Sequence, residues 1–211
     1  MMIRKKFVVY CSGGASRVRG FYSLGKNRDL LPDLIAYDGN REAVCNELVS
    51  LVGETRFHHF VPNTSDKMEF SIYLLNLMRS IQADCLLCFG NQILRGELLS
   101  QFEGRLFNFH PSLLPAFPGL NAIDQAIKAG AVLLGNTVHH IDAGVDTGEV
   151  IAQSVMRAEN FSEYEDVLEL QFPLMKYVLL PICGFSIGGD RMTSDLRKDR
   201  RDVLYSFQLT E

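Results

Sequence analysis

Asn108 and His110 stand two residues apart in the stretch Leu106–Gly119, LFNFHPSLLPAFPG, which starts as an apolar run and ends in a proline-rich loop. On a β-strand, side chains at i and i+2 project from one face, so an amide and an imidazole leave this strand together where it stops. Pro111 ends the ladder, and Pro115, Pro118 and Gly119 give the following loop a fixed shape. Polar side chains beyond the carboxyl end of a strand lie where an open α/β sheet has its ligand crevice. Taken alone, the pair fits equally well a buried Asn and His satisfied by backbone groups.

A second stretch, Gly135–Gly148 (GNTVHHIDAGVDTG), adds a carboxylate. Thr137, His139 and Ile141 alternate with Val138 and His140, and Asp146 follows in a loop bounded by Gly144 and Gly148, where the backbone can turn tightly. Acyl transfer to an amine needs a donor for the oxyanion, an imidazole to donate or shuttle a proton, and a carboxylate to orient that imidazole and take up the amine proton. Asn108, His110 and Asp146 supply these parts.

These two motifs, NFHPSLLPAFPG and GNTVHHIDAGVDTG, resemble the signature of the folate-dependent formyltransferases, and the likeness extends over about residues 5–182. Among them, the members that formylate phosphoribosylglycinamide are the nearest in length and layout. The resemblance implies a Rossmann-like, mostly parallel sheet with helices on both faces. It also implies transfer of a formyl group from 10-formyltetrahydrofolate to a primary amine, with no metal. It places Gln92, Ile93, Leu94, Ile141, Asp142 and Val145 at the folate and Ser12, Gly13, Gly14, Ser16, Arg17 and Lys176 at the acceptor. In this scheme Asn108 holds the oxyanion, His110 acts as an imidazolium donor, and Asp146 orients it. His139 supports the site from the second motif.

The chain departs from the family pattern at the acceptor. Ala15 stands where the phosphate-binding Ser-Gly-x-Gly-Ser-Asn loop has Gly, Arg17 where it has Asn, and Lys176 where a Glu contacts the substrate. A sugar-nucleotide amine is therefore an alternative acceptor, and a non-catalytic folate-binding module of the same fold is an alternative of another class. A nicotinamide dehydrogenase is disfavoured, because the turn after the first strand lacks G-x-G-x-x-G.

The elements that must carry these residues follow from periodicity. Lys6–Ser12 reads as a buried first strand opening through Gly13-Gly14 into a helix N-terminus, which is a natural anion site. Strands are expected at Leu34–Tyr37, Thr55–Val61, Cys85–Phe89, Leu106–His110, Leu133–Asp142 and Val150–Met156, the last as an antiparallel partner. Helices are expected at Arg41–Val52, Asp66–Ala83 with Asp66 as N-cap, Glu97–Phe102, Asn121–Gly130 and Ser162–Leu180, the last kinked or broken at Pro173. His58 and His59 face opposite sides of a strand and read as structural. Ser112 and Thr137 have no adjacent base and read as loop-shaping.

The 211 residues suit one catalytic domain, 1–183, with an acceptor half (1–100) and a folate half (101–183), followed by a tail, 184–211, that is loosely held or adds one small strand. A net charge of −4 and a pI near 5.8 argue against a nucleic-acid or membrane surface as partner. No apolar run approaches the roughly 20 residues of a membrane span. The five cysteines suit reduced thiols in a cytoplasmic protein, and the Cys85/Cys88 pair lacks the second pair of a zinc site. Oligomeric state is left open.

Overall fold

In a computed structural model the described residues are 4–23, 25, 27–61, 68–185 and 203–207. They form one eight-stranded sheet in the order β3-β2-β1-β4-β5-β6-β7-β8. The strands are β1 (Phe7–Cys11), β2 (Leu34–Tyr37), β3 (Phe57–His59), β4 (Cys85–Phe89), β5 (Leu106–His110), β6 (Leu133–His140), β7 (Val150–Arg157) and β8 (Val203–Phe207). β3 to β5 pair in parallel, and β6, β7 and β8 each run antiparallel to the neighbour before them.

Strand alternation builds two cores. Phe7, Val9 and Cys11 face one side with Leu87 and Phe89; Val8 and Tyr10 face the other with Leu86 and Cys88. The first side is covered by α1 (Ser16–Ser23), α2 (Glu42–Val52) and α7 (Gln171–Ile182), through Val18, Phe21, Val44, Leu48, Leu174 and Leu179. The second is covered by α3 (Glu69–Ser80) and α4 (Glu97–Gln101), through Phe70, Leu74, Met78 and Leu98. Each such fully buried apolar side chain contributes about 1.5–3 kcal/mol. Because both faces are covered, β1 and β4 are apolar at every position, as expected of parallel strands.

α5 (Ala122–Lys128) and α6 (Tyr164–Glu169) form a smaller cluster against β6, with Ile123, Ala126, Leu134 and Val167. The expected long last helix is indeed two. The break falls at Leu170, and Pro173 sits in the first turn of α7, where a missing N–H breaks no helical bond. α7 also runs on past Pro181 to Ile182. β3 is shorter than the expected Thr55–Val61, because residues Glu54–Arg56 wind into a 3₁₀ turn. Asp66, the expected cap of α3, lies outside the described residues, and α3 is shorter than expected at both ends. In the tail, β8 extends the sheet by pairing with β7.

The antiparallel end is tightly spaced. A Cβ on Gly135 in β6 would lie 2.1 Å from the Ser154 carbonyl oxygen on β7 and 2.7 Å from Leu113. Gly135→Ala must push two paired strands apart, so a stability loss of about 1–3 kcal/mol is expected. Chemical denaturation of the variant and the parent checks this, and an unchanged midpoint would contradict the packing described.

Candidate active site

Strand order reverses at β1, whose neighbours are β2 and β4, and a crevice opens there beyond the strand ends. Three sequence motifs reach it: the turn after β1, the loop after β4, and the end of β5 with the loops that cover it. Together they line one cavity of about 540 Å³. All the sequence-predicted site residues border it, with one exception: Ser12–Arg17, Gln92–Leu94, Asn108, His110, Ile141, Asp142, Val145 and Asp146 are present, and Lys176 is not. The late helix reaches the cavity through Tyr164 and Leu168 of α6, before the break at Leu170, whereas Lys176 lies beyond the break in α7.

Asp146 is the hub of the polar cluster. Its backbone is left-handed (φ 54°), which turns the carboxylate back toward β5 and β6. One oxygen accepts from the Gly119 amide at 2.8 Å and faces His110 Nδ1 at 3.3 Å. The other accepts from Asn108 Nδ2 at 3.2 Å and lies 3.5 Å from His139 Nε2. Asn108 and His139 are cross-strand partners on β5 and β6, and Asn108 Nδ2 also donates to His139 Nε2 at 3.1 Å. His139 therefore belongs to the cluster as fully as Asn108, His110 and Asp146.

Hydrogen bonding fixes the tautomers. His139 Nδ1–H donates to the His140 carbonyl at 2.7 Å, which leaves Nε2 as the acceptor for Asn108. His110 Nε2–H donates to the Phe117 carbonyl at 2.9 Å, so Nδ1 presents a lone pair to Asp146. Burial lowers the His110 pKa below 6.5, against the opposing pulls of the Phe117 carbonyl and the Asp146 charge, while His139 and Arg17 lower it further. The resting ring is therefore neutral near pH 7. In this resting arrangement no His110 proton is aimed at an oxyanion, as the expected imidazolium donor would require: Nε2 is committed to the Phe117 carbonyl and Nδ1 faces Asp146. Burial by itself would raise the Asp146 carboxyl, but His139, the Gly119 amide and His110 outweigh it and hold it below its ordinary value. A lone pair on nitrogen and a carboxylate oxygen thus face each other 3.3 Å apart, a place for one incoming proton.

The acceptor end is a turn at the N-terminus of α1. Ala15 takes φ 47°, so it keeps the left-handed shape that a Gly would adopt without strain. Arg17 does not reach outward as a free anion clamp. Its guanidinium donates to the Phe89 carbonyl at 2.7 Å and to the Phe109 carbonyl at 3.4 Å, and it packs over the Phe89 ring. Burial lowers its pKa, and among the described residues no carboxylate forms an ion pair with it. The Ser12 hydroxyl is likewise engaged, as acceptor for the Asn91 amide. Two neighbours of this turn gave no sequence signal. Arg41 at the start of α2 brings a guanidinium nitrogen to 3.5 Å from where a Gly14 Cβ would sit, and the Tyr37 hydroxyl donates to the Gly13 carbonyl at 2.6 Å.

At the other end, Ile93 and Val145 are half exposed at the mouth of the cavity, with Leu94 buried behind them. Asp142 is committed to its own loop, accepting from the Gly144 amide and the Thr147 hydroxyl. Ser112 and Thr137 hold the proline-rich loop, as expected: Thr137 Oγ1 donates to the Ser112 carbonyl and accepts from the Leu114 amide, and Ser112 Oγ donates to the Ala116 carbonyl. Among the described residues no cluster of His, Cys, Asp or Glu could hold a metal ion, and no helix is long and apolar enough to cross a membrane.

A mostly parallel sheet carries an Asn-His-Asp cluster in the crevice beyond the end of β5, and the sequence assigns the class. Residues 6–171 match the Formyl transferase family, and the chain belongs to it. It is 32% identical over 199 residues to phosphoribosylglycinamide formyltransferase of Bacillus subtilis, covering 89% of this chain and 99% of that one. Among solved structures it is similar to glycinamide ribonucleotide transformylase 1 of Geobacillus kaustophilus, with a TM-score of 0.68 at 32% identity over 86% of this chain and 97% of that one. The corresponding enzyme of Symbiobacterium toebii gives a TM-score of 0.73 at 26% identity, over 88% and 92% of the two chains.

Proposed function

We propose that this formyltransferase moves the formyl group of 10-formyltetrahydrofolate to the primary amine of phosphoribosylglycinamide. The observation that carries the reading is a single cavity joining the anion-binding turn, Ser12–Arg17, to the cluster around Asp146. Its size is in the range of small-molecule sites, and its mouth presents Ile93 and Val145 where a flat, largely apolar pterin can rest. The acceptor phosphate sits at the α1 N-terminus, where backbone N–H groups and the helix dipole favour an anion and Arg17 and Arg41 add positive charge.

With the amine beside the formyl carbon, Asn108 Nδ2 turns one hydrogen from its resting partners, Asp146 or His139, to the developing oxyanion. Asp146 and His110 Nδ1 take the amine proton into the gap between them. The bond from the formyl carbon to the acceptor nitrogen forms, the bond to N10 breaks, and the proton held by the pair is returned to N10. His139 keeps the Asn108 amide in register, because its own Nδ1 proton is fixed on the His140 carbonyl.

This assignment fixes the sign of the pH dependence. The proton-accepting pair works with His110 neutral and Asp146 ionised. Both pKa values are lowered, so kcat/KM should be level from pH 7 to 8.5 and fall only as pH drops below 6.5. If the free enzyme needed an imidazolium, the rate would instead decline as pH rises through neutrality.

Absorbance change on consumption of 10-formyltetrahydrofolate, with and without phosphoribosylglycinamide, tests the function. Acceptor-dependent turnover is expected. Folate release without acceptor means a hydrolase, and folate binding with no turnover sends the search to other amines, sugar nucleotides first, or to a binding module.

A further inference from the structure

Two side chains outside the cavity tie its two ends together. Tyr10 is fully buried on β1, with its ring 4.5 Å from that of Phe70 and packed so closely on Gly90 that a Cβ there would lie 2.0 Å from it. Its hydroxyl donates to Asp38 Oδ2, at the end of β2, at 2.8 Å. The phenol oxygen then accepts from the Ser12 hydroxyl at 3.0 Å and from the Gln92 amide at 3.2 Å, while Ser12 Oγ accepts from the Asn91 amide at 3.0 Å. All the protons point one way: Asn91 N–H to Ser12, Ser12 O–H to Tyr10, Tyr10 O–H to Asp38. The chain ends on a charged acceptor, which strengthens its last bond. The second carboxylate oxygen, Oδ1, is buried and has no partner among the described residues, so Asp38 has little else to hold it.

Ser12 opens the turn that receives the acceptor, and Gly90-Asn91-Gln92 leads into Ile93 and Leu94 at the opposite end of the cavity. The relay therefore ties two successive residues of one loop, Asn91 and Gln92, to the first residue of the other, directly or through Tyr10. We propose that Tyr10 and Asp38 are positioning residues that couple the two ends of the cavity, so that ordering the turn at Ser12 also orders the loop at 90–94, and the reverse. The proposal rests on the reading of one cavity with two ligands. Coupling of this kind is reciprocal: each ligand must tighten the other by the same factor. Burial pushes the Tyr10 pKa up, so the phenol keeps the proton that the relay requires.

Tyr10→Phe keeps the ring and its packing and removes only the oxygen. In the ligand-free variant, amide exchange at Asn91 and Gln92 should accelerate by about tenfold or more, while amides of the core strands stay protected. In the wild type, saturating phosphoribosylglycinamide should tighten tetrahydrofolate binding by roughly 5- to 20-fold, and in Tyr10→Phe the ratio should fall below about 2 with each ligand still binding alone. Unchanged exchange at Asn91 and Gln92, an equal ratio in the two proteins, or a ratio near one in the wild type overturns the proposal. Failure of the wild type to bind the ribonucleotide contradicts the proposed acceptor instead, and the ligand-free exchange still decides the relay. Should Tyr10→Phe not fold, Ser12→Ala, made at a partly buried position, gives the exchange readout at Asn91.

Discussion

Asn108→Ala should lower kcat by about 100- to 1,000-fold, equivalent to roughly 3–4 kcal/mol of barrier, with little change in either KM. The amide is the one group of the cluster with hydrogens it can redirect: both are used in the resting state, on Asp146 and His139, and neither bond anchors the fold. Asp146 keeps the Gly119 amide as a donor when Asn108 is gone, so the variant should fold and bind normally. Steady-state kinetics with both substrates, alongside a thermal melt, checks this. A variant within about tenfold of the wild-type kcat would remove Asn108 from the oxyanion role.

Asp146→Asn should lose roughly 100-fold or more in kcat. Asn tolerates the left-handed backbone that Asp146 adopts (φ 54°), so the loop keeps its shape and the effect is chemical. Without the carboxylate, the proton-accepting pair is reduced to a buried imidazole whose pKa is already lowered and which has lost the charge that opposed its desolvation. The pH profile should change as well, since the surviving base is weaker. Near-normal turnover, or an unaltered profile, would mean that the amine proton leaves by another route.

Much of this site was legible because β-strand geometry turns spacing into position. Two residues apart on an apolar strand ended by Pro111 put Asn108 and His110 on one face, and the alternation from Thr137 to Ile141 put His139 opposite Asn108. The turn after β1 and the loop after β4 followed from apolar runs that stop at glycines. What spacing does not convey is what surrounds a side chain. Arg17 has the chemistry of a phosphate clamp, but the carbonyl ends of β4 and β5 capture it. His110 reads as a proton donor, but burial favours the neutral ring and its Nε2 proton is committed to the Phe117 carbonyl. Lys176 lies in α7, and the helix break at Leu170 leaves α6, not α7, at the cavity. Tyr10 and Asp38 gave no signal, since a tyrosine in an apolar strand and an aspartate before a glycine are ordinary until the fold brings them within hydrogen-bonding distance of Ser12 and Gln92.

The most direct measurement follows the formyl carbon itself. The enzyme is given 10-formyltetrahydrofolate labelled at that carbon, together with phosphoribosylglycinamide, and the products are read by carbon NMR. Label appearing as an N-formyl group on the ribonucleotide, with Asn108→Ala and Asp146→Asn slowing its appearance, is the predicted result. Label recovered as formate, or left on the folate while the ribonucleotide is unchanged, would contradict formyl transfer to this acceptor.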